Sequence, residues 1–133
     1  MKLFICSYFL FLFLQFISLQ QTKPIEKSIA DGEEIYQDFC LQCHLSNGEG
    51  VSGIYPPIAN SDYLFDDIER SISNIKYGLS GPIIVNDEEY NAVMLNNGLD
   101  DEEIADVMNY ILNSWGNKSD EIITKERVSQ VSE

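Results

Sequence analysis

The sequence predicts a small all-α domain of three to four main helices, and three observations carry that reading. Apolar residues recur at helical spacing in three separate segments. The one extended piece, Gly81 to Asp87, is too short to imply a sheet. The first of the helical segments ends on Cys40-Leu41-Gln42-Cys43-His44, a run whose chemistry asks for a prosthetic group at the centre of the fold.

Two thiols three positions apart, followed at once by an imidazole, have the spacing that attaches haem covalently. Each thiol can add to a vinyl group on one porphyrin edge, and a helical turn brings both sulfurs to that edge with the next residue beneath the iron. His44 is therefore the expected proximal ligand. It is the single histidine in the chain, so two histidine ligands to one iron, or a second haem of this type, would need a ligand from another chain. Other readings of the run are weaker. A thioredoxin-like pair wants a buried strand before the motif, and no Val/Ile-rich strand precedes Cys40. A zinc site wants about four ligands, and the third cysteine, Cys6, lies far away in an apolar leader. A disulfide between Cys40 and Cys43 would close too small a loop to stabilise much.

The elements follow in order. Leu3 to Leu19, LFICSYFLFLFLQFISL behind a single Lys2, is an export signal at 1–20. No small-residue cleavage site follows it, and as a helix it would reach roughly 25 Å, so an uncleaved anchor giving membrane contact is the alternative. Cys6 is not a lipidation site, because Ile5 stands where a small residue is needed. Residues 21–30, polar with Lys23-Pro24, are expected to be a linker, and the domain to run from 31 to 116. Asp31 is the expected cap of the first helix, with Glu34 reaching back and Ile35 and Phe39 on one apolar side.

Ser46 to Asn60 is rich in glycine and proline and should wrap the proximal side as a loop. A carbonyl from it can accept the Nδ1–H of the proximal histidine, which leaves Nε2 for the iron. Pro57 is the expected acceptor. Ile68, Ile72 and Ile75 give a middle helix over Asp66 to Tyr77, ending at Gly78. Gly81 to Asp87 is expected to be an extended piece with a turn. Asp100 and Glu103 form a capping pair for the last helix, whose apolar residues run from Ile104 to Trp115 before Gly116. Residues 117–133 show no adequate apolar face and are expected to be a mobile tail.

An electron carrier also wants a second axial ligand, since an open iron invites oxygen, carbon monoxide or peroxide. Met1 belongs to the leader, and Met108 sits on the apolar stripe of the last helix as core filler. Met94 lies in a loop and can turn its thioether toward the iron without giving up a helix contact. It is the expected distal ligand.

Eight basic residues against 22 acidic ones give a net charge of −14. A polyanion would be repelled, so nucleic acid is not an expected partner. Any electrostatic steering would favour a redox partner with a basic docking patch.

With these residues in place, the chain resembles the class I cytochrome c family, in particular small bacterial monohaem c-type cytochromes, over roughly 31–116. The resemblance is carried by Cys40 to His44, Gly50 to Pro57 and Tyr90 to Met94. It implies an all-α cytochrome c fold around one covalently attached haem c, with crossed terminal helices where Gly32 and Tyr36 meet Tyr110. It also implies covalent attachment at Cys40 and Cys43, axial ligation by His44 and Met94, and an exported, periplasmic electron-transfer role without catalysis on a substrate. Leu95 departs from the pattern, because a proline usually follows the methionine in such relatives. Two further functions fit the same residues: a haem subunit of a larger respiratory or nitrogen-oxide reducing complex, and a sensor or enzyme in which Met94 is displaced by a small molecule.

Overall fold

A computed structural model describes residues 23–133. The apolar leader, Cys6 and the start of the linker lie outside the described residues. Six helices and one hairpin follow in the order α1 (Ile25–Phe39), α2 (Leu41–His44), α3 (Asp62–Asp66), α4 (Ile68–Tyr77), β1 (Ile83–Val85), β2 (Glu88–Tyr90), α5 (Asp101–Leu112) and α6 (Lys125–Gln130). Among these residues no helix is long and apolar enough to cross a membrane.

The first helix begins earlier than the expected cap at Asp31. It starts at Ile25, behind Pro24, whose carbonyl accepts from the amides of Lys27 and Ser28 at 3.1 and 3.0 Å. Most of the segment expected to be a linker is therefore helix. Its buried face is Ser28, Gly32 and Tyr36, one residue every fourth position. Ser28 and Gly32 carry no apolar side chain, so apolar periodicity understates the start of the helix. Asp31 does not cap; its carboxylate pairs with Lys23 at 2.5 Å and with Lys27 one turn back.

The stripe buries against α5. A Cβ on Gly32 would lie 2.0 Å from the Asp106 carbonyl oxygen and 2.9 Å from the Tyr110 Cβ, so only glycine permits this approach of the two backbones. Tyr36, Tyr110 and Trp115 then close the crossing as an aromatic cluster, with ring centroids 4.9 to 5.5 Å apart, within the favourable range for tilted and edge-on pairs. The capping box at Asp100 and Glu103 is formed as expected. The helix it starts ends at Leu112, short of Trp115, which sits outside it at φ 56°. Ile104, Val107, Met108 and Leu112 of α5 join Ile72 of α4 in the fully buried core.

Two expectations need correction here. The extended piece is a true hairpin, with Ile83 opposite Tyr90 and Val85 opposite Glu88. Asn86 and Asp87, both at positive φ, make its two-residue turn, and asparagine and aspartate tolerate that conformation. The segment 117–133 is docked rather than loose. Ile123 and Val128 are buried in the core, and the side-chain amide of Asn109 clasps Ile123 by accepting from its amide at 2.9 Å and donating to its carbonyl at 2.8 Å. Thr124 caps α6, and Lys76 donates to the Val128 carbonyl at 2.9 Å. Few apolar residues suffice because hydrogen bonds to its backbone and the Arg127–Glu69 ion pair at 2.8 Å add to the attachment, which hydropathy does not register.

Candidate haem site

The single turn of α2 hangs directly from the end of α1. The amides of Cys43 and His44 both donate to the Cys40 carbonyl, at 3.1 and 2.9 Å, so Cys40 and His44 stand one turn apart on one side. Both line a cleft enclosing about 660 Å³, its open mouth included, whose wall is almost wholly apolar. Cys43 is half-buried and is not among the residues that line it, and both thiols are free. Burial pushes the Cys40 thiol up to about 11, the neighbouring Cys43 adding to the effect.

Leu45 turns the chain out of α2 at φ 60°, ψ 173°, a conformation that costs about 1–3 kcal/mol for a residue with a side chain. The buried Tyr36 hydroxyl donates to the Leu45 carbonyl at 2.7 Å and holds it there. The loop beyond is ordered by its own backbone. Gly50 donates to the His44 carbonyl at 3.0 Å, Val51 pairs with Tyr55, and Ile58 and Ala59 both donate to the Gly48 carbonyl. At φ +63°, Gly50 packs so closely that a Cβ would meet the Tyr55 oxygen at 2.4 Å and the Pro56 oxygen at 2.6 Å.

That packing aims the Pro56 carbonyl at His44, whose Nδ1–H donates to it at 3.0 Å. The acceptor is thus Pro56 and not Pro57. Pro57 lines the cleft. The two prolines are equivalent in composition, and only the course of the loop over Gly50 chooses between their carbonyls. With Nδ1 engaged, Nε2 is the nitrogen left to bind a metal. Burial lowers the His44 pKa below its ordinary value, although the Pro56 hydrogen bond opposes this; the neutral imidazole that a metal needs is therefore favoured.

The other walls come from α3, α4, the hairpin and α5. Leu64, Ile75, Leu79, Ile83, Val85 and Ile111 face the cleft, with Tyr63 and Asn74 among its few polar members. Met94 lines it too, from the connection between β2 and α5. Met108 is fully buried in the core, as expected, and also forms part of the cleft wall. Among the described residues no group of three or more His, Cys, Asp or Glu side chains could hold a metal ion by itself. One imidazole, one thioether and the Cys40 thiol on an apolar slot, with the Cys43 thiol one turn of chain away, suit an iron porphyrin instead, where the macrocycle supplies the remaining iron ligands.

Comparison with known proteins agrees. The family model for cytochrome c matches residues 29–115. The chain is 42% identical over 92 residues to cytochrome c-552 of Thermus thermophilus, covering 65% of this chain and 70% of that protein. A second cytochrome c-552 from that species matches at the same identity, with 62% of its length covered. The cytochrome c subunit of the quinone alcohol dehydrogenase of Gluconobacter oxydans is 32% identical over 91 residues, which is 66% of this chain and 19% of that subunit. Geometry, cleft chemistry and similarity together place the chain in the cytochrome c family, electron-transfer proteins that carry covalently bound haem c.

Proposed function

We propose that this chain carries one haem c, bound through Cys40 and Cys43 with His44 and Met94 as axial ligands, and that it shuttles single electrons in an exported compartment. The observation that carries the reading is the convergence of Cys40, His44 and Met94 on one apolar cleft. The haem supplies the one-electron iron couple. The chain's own residues set its conditions: Pro56 orients the imidazole and raises its basicity, and a thioether opposite would favour the ferrous state. The apolar wall excludes water, and nothing beside Met94 in the wall offers a second imidazole for acid or base work at the iron. This supports a carrier over a sensor or enzyme.

The surface supports partner choice by charge. At −14 the chain would be steered toward a redox partner with a basic patch, with association slowing as salt rises. The apolar run at 3–19 supports export, with or without retention at the membrane. A second reading, a fixed electron-transfer subunit, is favoured by the similarity to the alcohol dehydrogenase cytochrome c subunit.

The test is the visible spectrum of the reduced full chain before and after addition of carbon monoxide. A sharp c-type spectrum that ignores the gas is expected. A spectrum that shifts would mean an open sixth position and would favour the sensor or enzyme.

A further inference from the structure

Met94 sits in a long connection that its own side chains do little to hold. Its neighbours Val93 and Leu95 are 64% and 72% exposed, and 96–98 are exposed as well. Leu95 supplies none of the stiffness that a proline would give there. The residue is instead held by its backbone. Its amide donates to the Leu79 carbonyl at 2.9 Å, and its carbonyl accepts from the Leu79 amide at 2.8 Å, an isolated antiparallel bridge. Leu79 is a rigid partner, because it follows α4 by one residue and α4 is fixed in the core through Ile68 and Ile72.

The residue between α4 and that bridge is Gly78. It closes the helix by donating to the Asn74 carbonyl, at φ +92°. A Cβ there would lie 2.9 Å from the Met94 carbonyl oxygen and 3.3 Å from the Asn96 amide nitrogen. The first distance is one that real Cβ atoms essentially never show, and the obstructing atom is backbone that forms the bridge itself.

We infer that Gly78 is a positioning residue for Met94: its bare Cα lets the 94–96 backbone dock against the end of α4, and the Leu79 bridge then fixes where the thioether enters the cleft. The inference rests on Met94 being the distal ligand, and it assigns the rigidity of that ligand to a contact sixteen positions earlier in the chain. Gly81 provides the matching control. It has almost the same backbone angle, φ +94°, but a Cβ there would meet nothing within 4 Å. Gly78→Ala and Gly81→Ala therefore both put a side chain at a positive φ, and only the first pushes on Met94.

The experiment uses the full haem-loaded chain and reads the near-infrared sulfur-to-iron charge-transfer band of the ferric form and carbon monoxide binding by the ferrous form. Gly78→Ala should weaken or abolish the band and raise the carbon monoxide-bound fraction several-fold, while Gly81→Ala leaves both as in the wild type. Retention of the wild-type band and gas resistance in Gly78→Ala, or equal loss in both variants, would overturn the inference. Met94→Ala separates the two levels: a band that survives in it removes Met94 as ligand, whereas a band lost in it but kept in Gly78→Ala removes only the positioning role. Should Gly78→Ala fail to fold, hydrogen exchange on the wild-type holoprotein decides. Slow exchange at the Met94 and Leu79 amides, against fast exchange at Leu95, is expected, and uniformly fast exchange across this segment would refute the bridge.

Discussion

The Pro56 carbonyl accepts a hydrogen bond from Nδ1–H of His44 at 3.0 Å, and it sits so close to Gly50 that a Cβ there would meet its oxygen at 2.6 Å. A ring fixed in this way presents Nε2 at a set angle and donates more electron density to a bound metal. Gly50→Ala should displace the carbonyl and destabilise the protein by about 1–3 kcal/mol, from a strained φ and a backbone clash together. Weaker donation by the imidazole should also raise the reduction potential. Denaturant unfolding and potentiometry of the haem-loaded variant check both; a destabilised variant with an unchanged potential would separate loop packing from ligand tuning.

The two internal methionines should answer differently. Met94→Ala is expected to let carbon monoxide bind the ferrous protein with little change in the folded core. Met108→Ala is expected to leave the sixth position closed and to cost about 2–5 kcal/mol, as truncation of a fully buried side chain does. Gas titration alongside urea unfolding distinguishes them, and the reverse pattern would exchange their roles.

Gly32→Ala places a methyl group 2.0 Å from the Asp106 carbonyl oxygen. The helices must separate, so a loss of about 3 kcal/mol is expected, at the upper end of overpacking costs. A thermal midpoint within a degree of the wild type would mean the crossing yields more easily than its geometry indicates.

Asn109 satisfies both backbone groups of Ile123 and also donates to Ser28 at 2.9 Å. Asn109→Ala would strand these partners in the interior, each at about 1–3 kcal/mol if water does not reach them. Residues 117–133 should then become sensitive to limited proteolysis. Fragment masses showing cleavage there only in the variant would support the assignment.

Asp100 accepts from the Glu103 and Glu102 amides, and these bonds, that to Glu103 first, hold its carboxyl below the usual value of 3.8. A carboxyl depressed on folding stabilises the protein above its unfolded value, and that contribution disappears as pH falls through the folded value. Asp100→Ala should cost about 1 kcal/mol near neutral pH. The difference from wild type should shrink once pH drops below 3.8 and vanish when both forms are acid-unfolded or fully protonated; a difference constant down to the lowest pH would remove the cap as its source.

Much of this was legible in the chain because the signals are local. The spacing from Cys40 to His44, the Asp100–Glu103 capping pair and the isoleucines of α4 each declare themselves within a few residues. What stayed hidden depends on contacts between distant segments. Ser28 gives no apolar signal, and its place in the helix face shows only once Asp106 and Asn109 stand opposite. Ile123 and Val128 look too sparse to dock without the clasp from Asn109. The choice between Pro56 and Pro57 rests on how Gly50 packs, and the hold on Met94 rests on Leu79; neither pairing leaves a local trace.

The crossing of α1 and α5 also bears on how the chain reaches this state. Roughly sixty residues separate the two helices, so their docking closes a long loop at an entropic cost of about 3–4 kcal/mol plus a constant. Interfaces between distant segments slow folding relative to bundles built from neighbouring helices. An iron gripped by His44 near the end of one helix and by Met94 shortly before the other would tie most of that loop off in advance. The prosthetic group would then act as a folding tether as well as a redox centre, and refolding should be faster for protein that keeps both axial bonds than for protein that has lost the one to Met94.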